Sequence, residues 1–90
     1  MTEARDEEVF HHELETSRNE PSVQIAEIVA SHEDTNEESL TPVYNQIDHV
    51  ISHIFSDPPD PSAEVEVTFS YEQYRITVEQ NGEATFVRTK

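Results

Sequence analysis

The clearest order in the chain lies in its last third, where Val65, Val67, Phe69 and Tyr71 take every second position between Glu64 and Tyr71. Strict alternation marks a strand buried on one face, because successive side chains of an extended backbone point to opposite sides. Tyr74, Ile76 and Val78 repeat the pattern. With Glu72 and Gln73 at the tip between them, Tyr71 lies opposite Tyr74, Phe69 opposite Ile76 and Val67 opposite Val78, so all the apolar residues share a face. Asn81-Gly82 marks a second turn. A two-residue type I′ turn there pairs Ile76 with Val87 and leaves Phe86 on the solvent side, whereas a type I turn with Gly82 as a left-handed bulge pairs Ile76 with Phe86 and Val78 with Ala84. Burying a Phe side chain is worth about 1.5 to 3 kcal/mol, more than turn types usually differ, so the bulge register is favoured. The predicted strands span about 64–71, 74–79 and 84–88.

Upstream the period changes. Pro21 suits the first turn of a helix, and Val23, Ile25, Ala26, Ile28, Val29 and Ala30 follow with helical spacing, which predicts a helix over about 21–32. A polar connector, Glu33 to Ser39, leads to Leu40-Thr41-Pro42-Val43-Tyr44, where apolar residues return without a clear period. Asp48 stands where an N-cap would, ahead of Val50, Ile51, Ile54 and Phe55, and predicts a short second helix over about 49–55. Asp57-Pro58-Pro59-Asp60-Pro61 ends it, since prolines remove backbone donors and hold the chain extended. Near the N-terminus Phe10, His12 and Leu14 alternate with His11 and Glu13, the trace of an extra strand near 9–14. Residues 1–19 otherwise read as an acidic, largely flexible segment and 20–90 as the folded domain. The expected architecture is α+β: a three-stranded antiparallel meander with both helices packed on its apolar face, and a wet opposite face of Glu64, Glu66, Thr68, Ser70, Arg75, Thr77 and Glu79.

Composition adds a physical setting. Twenty Asp and Glu against five Lys and Arg give a formal net charge of -15, and Lys90 is the one lysine. So many like charges on a small body repel one another in dilute buffer, but at about 1 M salt the screening length is roughly 3 Å and most of that cost disappears. The balance, with lysine nearly absent, favours a protein adapted to a salt-rich cytoplasm over an ordinary acidic protein of a low-salt cell. It argues against nucleic-acid binding, because there is no basic patch to neutralise phosphates. With no cysteine, neither a disulfide framework nor a thiolate metal site can form. No apolar run approaches a membrane span, and Met1-Thr2-Glu3-Ala4-Arg5-Asp6 lacks the parts of a signal peptide, so a soluble, cytoplasmic protein without membrane attachment is expected.

Several of these segments, taken in order, resemble one family. The run Ser22 to Ala30, then Leu40-Thr41-Pro42-Val43-Tyr44 leading to Ile47-Asp48, then Ile51-Ser52-His53-Ile54-Phe55, and finally Val67 to Tyr71 with Tyr74 to Val78 and Asn81-Gly82, are similar to the halobacterial output domain family over roughly residues 20–88. That resemblance implies a small output module of haloarchaeal signal transduction, following receiver or sensor domains or standing alone, and it implies regulation rather than chemistry. The chain departs from the family pattern where His49 replaces a proline after Asp48 and where Gln73 replaces a glycine between the first two strands.

Candidate chemistry is sparse. His49 and His53 stand four apart with Asp48 beside them, a spacing that can present two imidazoles to one metal, but no third ligand is evident and solvated histidines explain them more simply. His11, His12 and His32 read as isolated. Carboxylates are too abundant for any pair to be diagnostic, and Ser22, Ser39 and Ser70 have no glycine elbow or base around them. No catalytic residue, cofactor or metal site is expected. Tyr71 and Tyr74 flank one hairpin tip and, with Pro42 and Tyr44, form the candidate partner-binding surface, because tyrosine serves equally at a core edge and at an interface. The function read from the sequence is therefore a non-enzymatic signalling module that docks an unknown protein partner, or a second copy through a sheet edge. The alternative is a transcription-associated regulator that touches DNA directly. Lowering the salt to about 0.1 M, where the screening length grows to roughly 10 Å, should loosen or unfold the domain. Circular dichroism across a salt series checks this, and an unchanged spectrum would remove the case for salt adaptation.

Overall fold

Alternation closes β2 (Glu66–Tyr71) on β3 (Tyr74–Glu79) as an antiparallel hairpin, with Tyr71 opposite Tyr74, Phe69 opposite Ile76 and Val67 opposite Val78. The second hairpin brings in β4 (Glu83–Arg88) with Ile76 opposite Phe86 and Val78 opposite Ala84, the bulge register that buries Phe86. Gly82 has φ 98 and its N–H bonds the Glu79 carbonyl at 2.9 Å, the tight turn that glycine tolerates and side chains resist. The computed structural model describes residues 8–17, 20–36, 39–40 and 45–89. Within them, β1 (Val9–Glu13) adds the expected extra strand antiparallel to β4, so the sheet order is β1-β4-β3-β2. Leu14, just beyond β1, is buried in the core.

Two helices cover the apolar face. In α1 (Pro21–Glu33) the residues Pro21, Ile25 and Val29 recur every fourth position and are buried, with Gln24 and Ala30 beside them. The α2 helix (Asn45–Ser56) turns Ile51 and Phe55 into the same core, and Ile47 and Ile54 pack against its margin. A 3-10 turn at Pro61–Ala63 follows, opened by Asp60, whose side chain accepts the Ser62 N–H at 2.8 Å. One cluster joins Leu14, Ile25, Val29, Ile51 and Phe55 to Phe69, Tyr71, Tyr74, Ile76, Val78, Ala84 and Phe86. Two layers around a single core result.

Three local readings are corrected. The second helix begins at Asn45 rather than near residue 49, and Asp48 lies in its first turn instead of capping it. Its carboxylate caps the other helix: Oδ1 accepts the Ser22 N–H at 3.0 Å, one of the donors that the start of α1 leaves without an intrahelical partner. An acidic residue suits both an N-cap and a first turn, so the sequence does not separate the two. Val50 is 46% exposed, because the buried stripe runs through 47, 51, 54 and 55 once the helix starts earlier. The strand predicted from residue 64 starts at Glu66, since Glu64 takes φ 50 to close the 3-10 turn.

Side-chain amides replace missing ladder bonds where strands give way to turns. Gln24, buried in α1, accepts the Glu15 N–H at 2.8 Å and donates to the Glu15 carbonyl at 3.2 Å, which ties the chain leaving β1 to the helix. Gln80 accepts the Val65 N–H at 2.7 Å and donates to the Pro59 carbonyl at 2.9 Å, which holds the proline segment beside β3. Gly82 is the tightest joint. Its carbonyl accepts the Leu14 N–H at 2.7 Å, and a Cβ placed on it would stand 2.7 Å from the Leu14 oxygen and 2.9 Å from Thr16 Cγ2. Gly82→Ala therefore combines a disfavoured φ with a backbone clash and should cost about 2 kcal/mol or more, read as a lowered urea midpoint. A loss below about 0.5 kcal/mol, the range of an ordinary surface substitution, would mean that the β1 to β4 joint is looser than described.

Candidate functional site

The two tyrosines of the candidate surface turn inward. Tyr71 is 5% and Tyr74 1% exposed, because both fall on the alternating positions that face the helices. Their rings thus pack at the core edge, while Pro42 and Tyr44 lie outside the described residues. What this end of the domain presents instead is a polar rim. The Tyr74 hydroxyl donates to the Glu33 carboxylate at the end of α1. Arg88 Nη1 bonds the same carboxylate at 2.8 Å, Nη2 reaches Gln73 Oε1 at 3.2 Å, and the guanidinium sits 5.8 Å from the centre of the Tyr74 ring. Burial, and then the Glu33 carboxylate, push the Tyr74 phenol up to about 12. Tyr74 stays a neutral donor at any physiological pH, and the network clasps α1, β3 and β4 together.

The register sorts the outer face of the sheet into rows. Val9, Val87, Arg75 and Ser70 align across β1, β4, β3 and β2, with Arg75 Nη1 donating to Ser70 Oγ at 2.9 Å. The next row is His11, Thr85, Thr77 and Thr68, in which His11 Nδ1 meets Thr85 Oγ1 at 3.1 Å and the Thr68 and Thr77 hydroxyls meet at 3.0 Å. Beyond it Glu13 faces Glu83 and Glu66 faces Glu79. Among the described residues no element covers these rows, and both helices lie on the opposite face. The acidic end borders an open groove of about 740 Å³ between the proline segment and the β2–β3 strands, lined in part by Asp60, Glu64, Glu66 and Glu79.

Among the described residues no strand pairs with the outer edge of β2. In an antiparallel ladder, pairs that exchange backbone bonds alternate with pairs that do not, and a two-residue tip places Tyr71 and Tyr74 among the former. The Gln80 N–H to Val65 carbonyl bond of 3.0 Å keeps the same phase at the far end. The backbone groups of Val67, Phe69 and Tyr71 therefore bond β3, and those of Glu66, Thr68 and Ser70 point away from it. β3 is the one strand that β2 pairs with among the described residues.

Sequence reasoning missed one constellation. His12, on the inward face of β1, and His32, in the last turn of α1, bring their Nε2 atoms to 3.2 Å. Phe10 stacks on the His32 ring at 3.5 Å between centres and 13° between planes, and on Phe86 at 5.0 Å and 7°. The alternation of β1 showed that His12 points inward; nothing in the sequence showed that the end of α1 lies across from it. His49 and His53 are both exposed on α2. Among the described residues no group of three or more His, Cys, Asp or Glu side chains is placed to hold a metal ion, and no helix is long and apolar enough to cross a membrane.

With the fold in view, the class is a two-layer α+β domain whose helices shelter one face of a four-stranded antiparallel sheet. The sequence profile of the Halobacterial output domain 1 family matches residues 17–88, and the chain belongs to that family. No curated protein and no solved structure matches it.

Burial, and then the neighbouring His32, lower the pKa of His12 from its ordinary 6.5. The unfolded chain thus binds a proton here more readily than the folded one, so stability falls as the pH drops below about 6.5 and levels off beneath the depressed folded value. Urea midpoints measured between about pH 8 and pH 5 should fall more for the wild type than for His12→Gln. Equal slopes for the two would show that His12 carries no such linkage.

Proposed function

We propose that this domain is a non-enzymatic output module of a signalling system in a salt-rich cytoplasm, and that it acts by taking an extended segment of a protein partner alongside β2. The observation that carries this reading is the outer edge of β2, where no strand among the described residues pairs with the backbone groups of Glu66, Thr68 and Ser70. Membership of a family of output domains supports a regulatory role. The adjoining groove, with Asp60, Glu64, Glu66 and Glu79 on its walls, favours a segment that carries basic residues. The same carboxylates oppose a DNA backbone, which leaves the DNA-contacting alternative without a surface among the described residues. A second copy of the chain, pairing β2 with β2, would use the backbone row alone and carries no basic residue in β2 for the groove.

Thr68→Pro tests the proposal selectively. The Thr68 N–H points away from β3, so proline removes an edge donor without breaking the existing ladder, the position at which strands tolerate it. In molar potassium chloride the wild type should self-associate or retain a co-purified partner, measured by light scattering and mass spectrometry. The variant should keep its circular dichroism and lose that association. A wild type that is strictly monomeric and partnerless, or a variant that associates as well as the wild type, would contradict edge docking.

A further inference from the structure

We infer that His12 and His32 form a two-imidazole chelate for a late first-row divalent metal ion, one that clamps β1 to the end of α1. The separation is the first reason. Two metal–imidazole bonds of about 2.0 to 2.1 Å place their nitrogens roughly 2.9 Å apart at a right angle and about 3.4 Å apart at the tetrahedral angle. The observed 3.2 Å between the two Nε2 atoms lies between those limits. Contact at this distance requires one ring to offer a lone pair to the other, so at least one imidazole is neutral as a ligand must be.

Orientation is the second reason. The rings come from different elements, and the same aromatic cluster holds both: Phe10 stacks flat on His32, meets His12 edge-on at 5.7 Å and 88°, and His12 is edge-on to Phe86 at 5.9 Å and 85°. The two imidazoles stand at 86° to one another. Packing on Phe10 and Phe86 thus holds the two rings with their Nε2 atoms together. His32 is exposed and His12 half-buried, so an ion can approach from solvent and keep water in its remaining positions.

When the ion enters, the ring that donated its Nε2 proton takes the Nδ1–H tautomer and both Nε2 lone pairs turn to the metal. A neutral pair therefore releases no proton, whereas a protonated ring must lose one first. Imidazole donors suit nickel, copper and zinc, and copper binds tightest of the three on a given set of nitrogens. With two protein ligands the ion is readily exchanged, unlike one in a closed four-ligand structural site. Binding links residues twenty positions apart and so favours the docked state of the edge strand β1.

The test uses nickel ion alone, added to the full chain in molar potassium chloride after treatment with a chelator. Paramagnetic broadening should first erase the ring signals of His12 and His32 in the wild-type spectrum, and calorimetry should give one site per chain. His32→Gln, at an exposed position, should keep the circular dichroism and weaken binding by about tenfold or more, the loss of one of two chelating ligands. His12→Gln should do the same. Broadening that begins at His49 and His53, binding equal to wild type in His32→Gln, or no binding at millimolar nickel would each overturn the assignment. The wild-type spectrum alone decides the location should either variant fail to fold.

Discussion

One-sided burial governs this molecule. Apolar residues make up a third of the chain, too few to cover both faces of a four-stranded sheet and both helices, so the fold depends on gathering them on one side. Every strand alternates in the same phase, and a slip of one residue in any pair would send Phe69, Ile76 or Phe86 into water. The bulge at Gly82 sets that phase between β3 and β4, and it also brings the Gly82 carbonyl to Leu14 and so fixes where β1 adds. A single glycine therefore locks two of the three strand pairings.

Polar side chains finish what the apolar pattern begins. Asp48 closes the start of α1 from a neighbouring helix, Gln24 and Gln80 supply strand-like bonds where the ladders stop, and Glu33 joins Tyr74 to Arg88 across three elements. Buried or half-buried polar groups are costly unless satisfied, and each of these meets a partner. Glu13, Glu83, Glu66, Glu79, Asp60 and Glu64 lie outside this machinery, on the outer face and around the groove, where high salt would screen their repulsion. The division explains how so acidic a chain can hold a compact body.

The sheet and its register were legible because strict alternation, two turn signals and the burial of Phe86 agreed on one answer. Helix α1 was legible for similar reasons. What the sequence hid were relations between distant segments. Asp48 carries the same local signature whether it caps its own helix or another, so its bond to Ser22 could not be foreseen. Tyr71 and Tyr74 were correctly placed opposite each other, yet only the packed structure shows how little of either ring reaches the surface. His12 and His32 meet through the angle at which α1 crosses β1, and no periodicity encodes that angle.

Among the described residues the fold leaves uncovered the outer face of the sheet and its two edges, since β4 and β3 are paired on both flanks and β1 and β2 on one flank each. Under the proposed edge docking, the outer edge of β2 would offer a partner its backbone groups alone. Amide hydrogen exchange along β2, measured on the isolated domain in molar salt, tests this most directly. The account predicts alternation, with the amides of Val67, Phe69 and Tyr71 protected and those of Thr68 and Ser70 exchanging at nearly the rate of open chain. Uniform protection from Glu66 to Tyr71 in a monomer would mean that the edge is already covered and would contradict it.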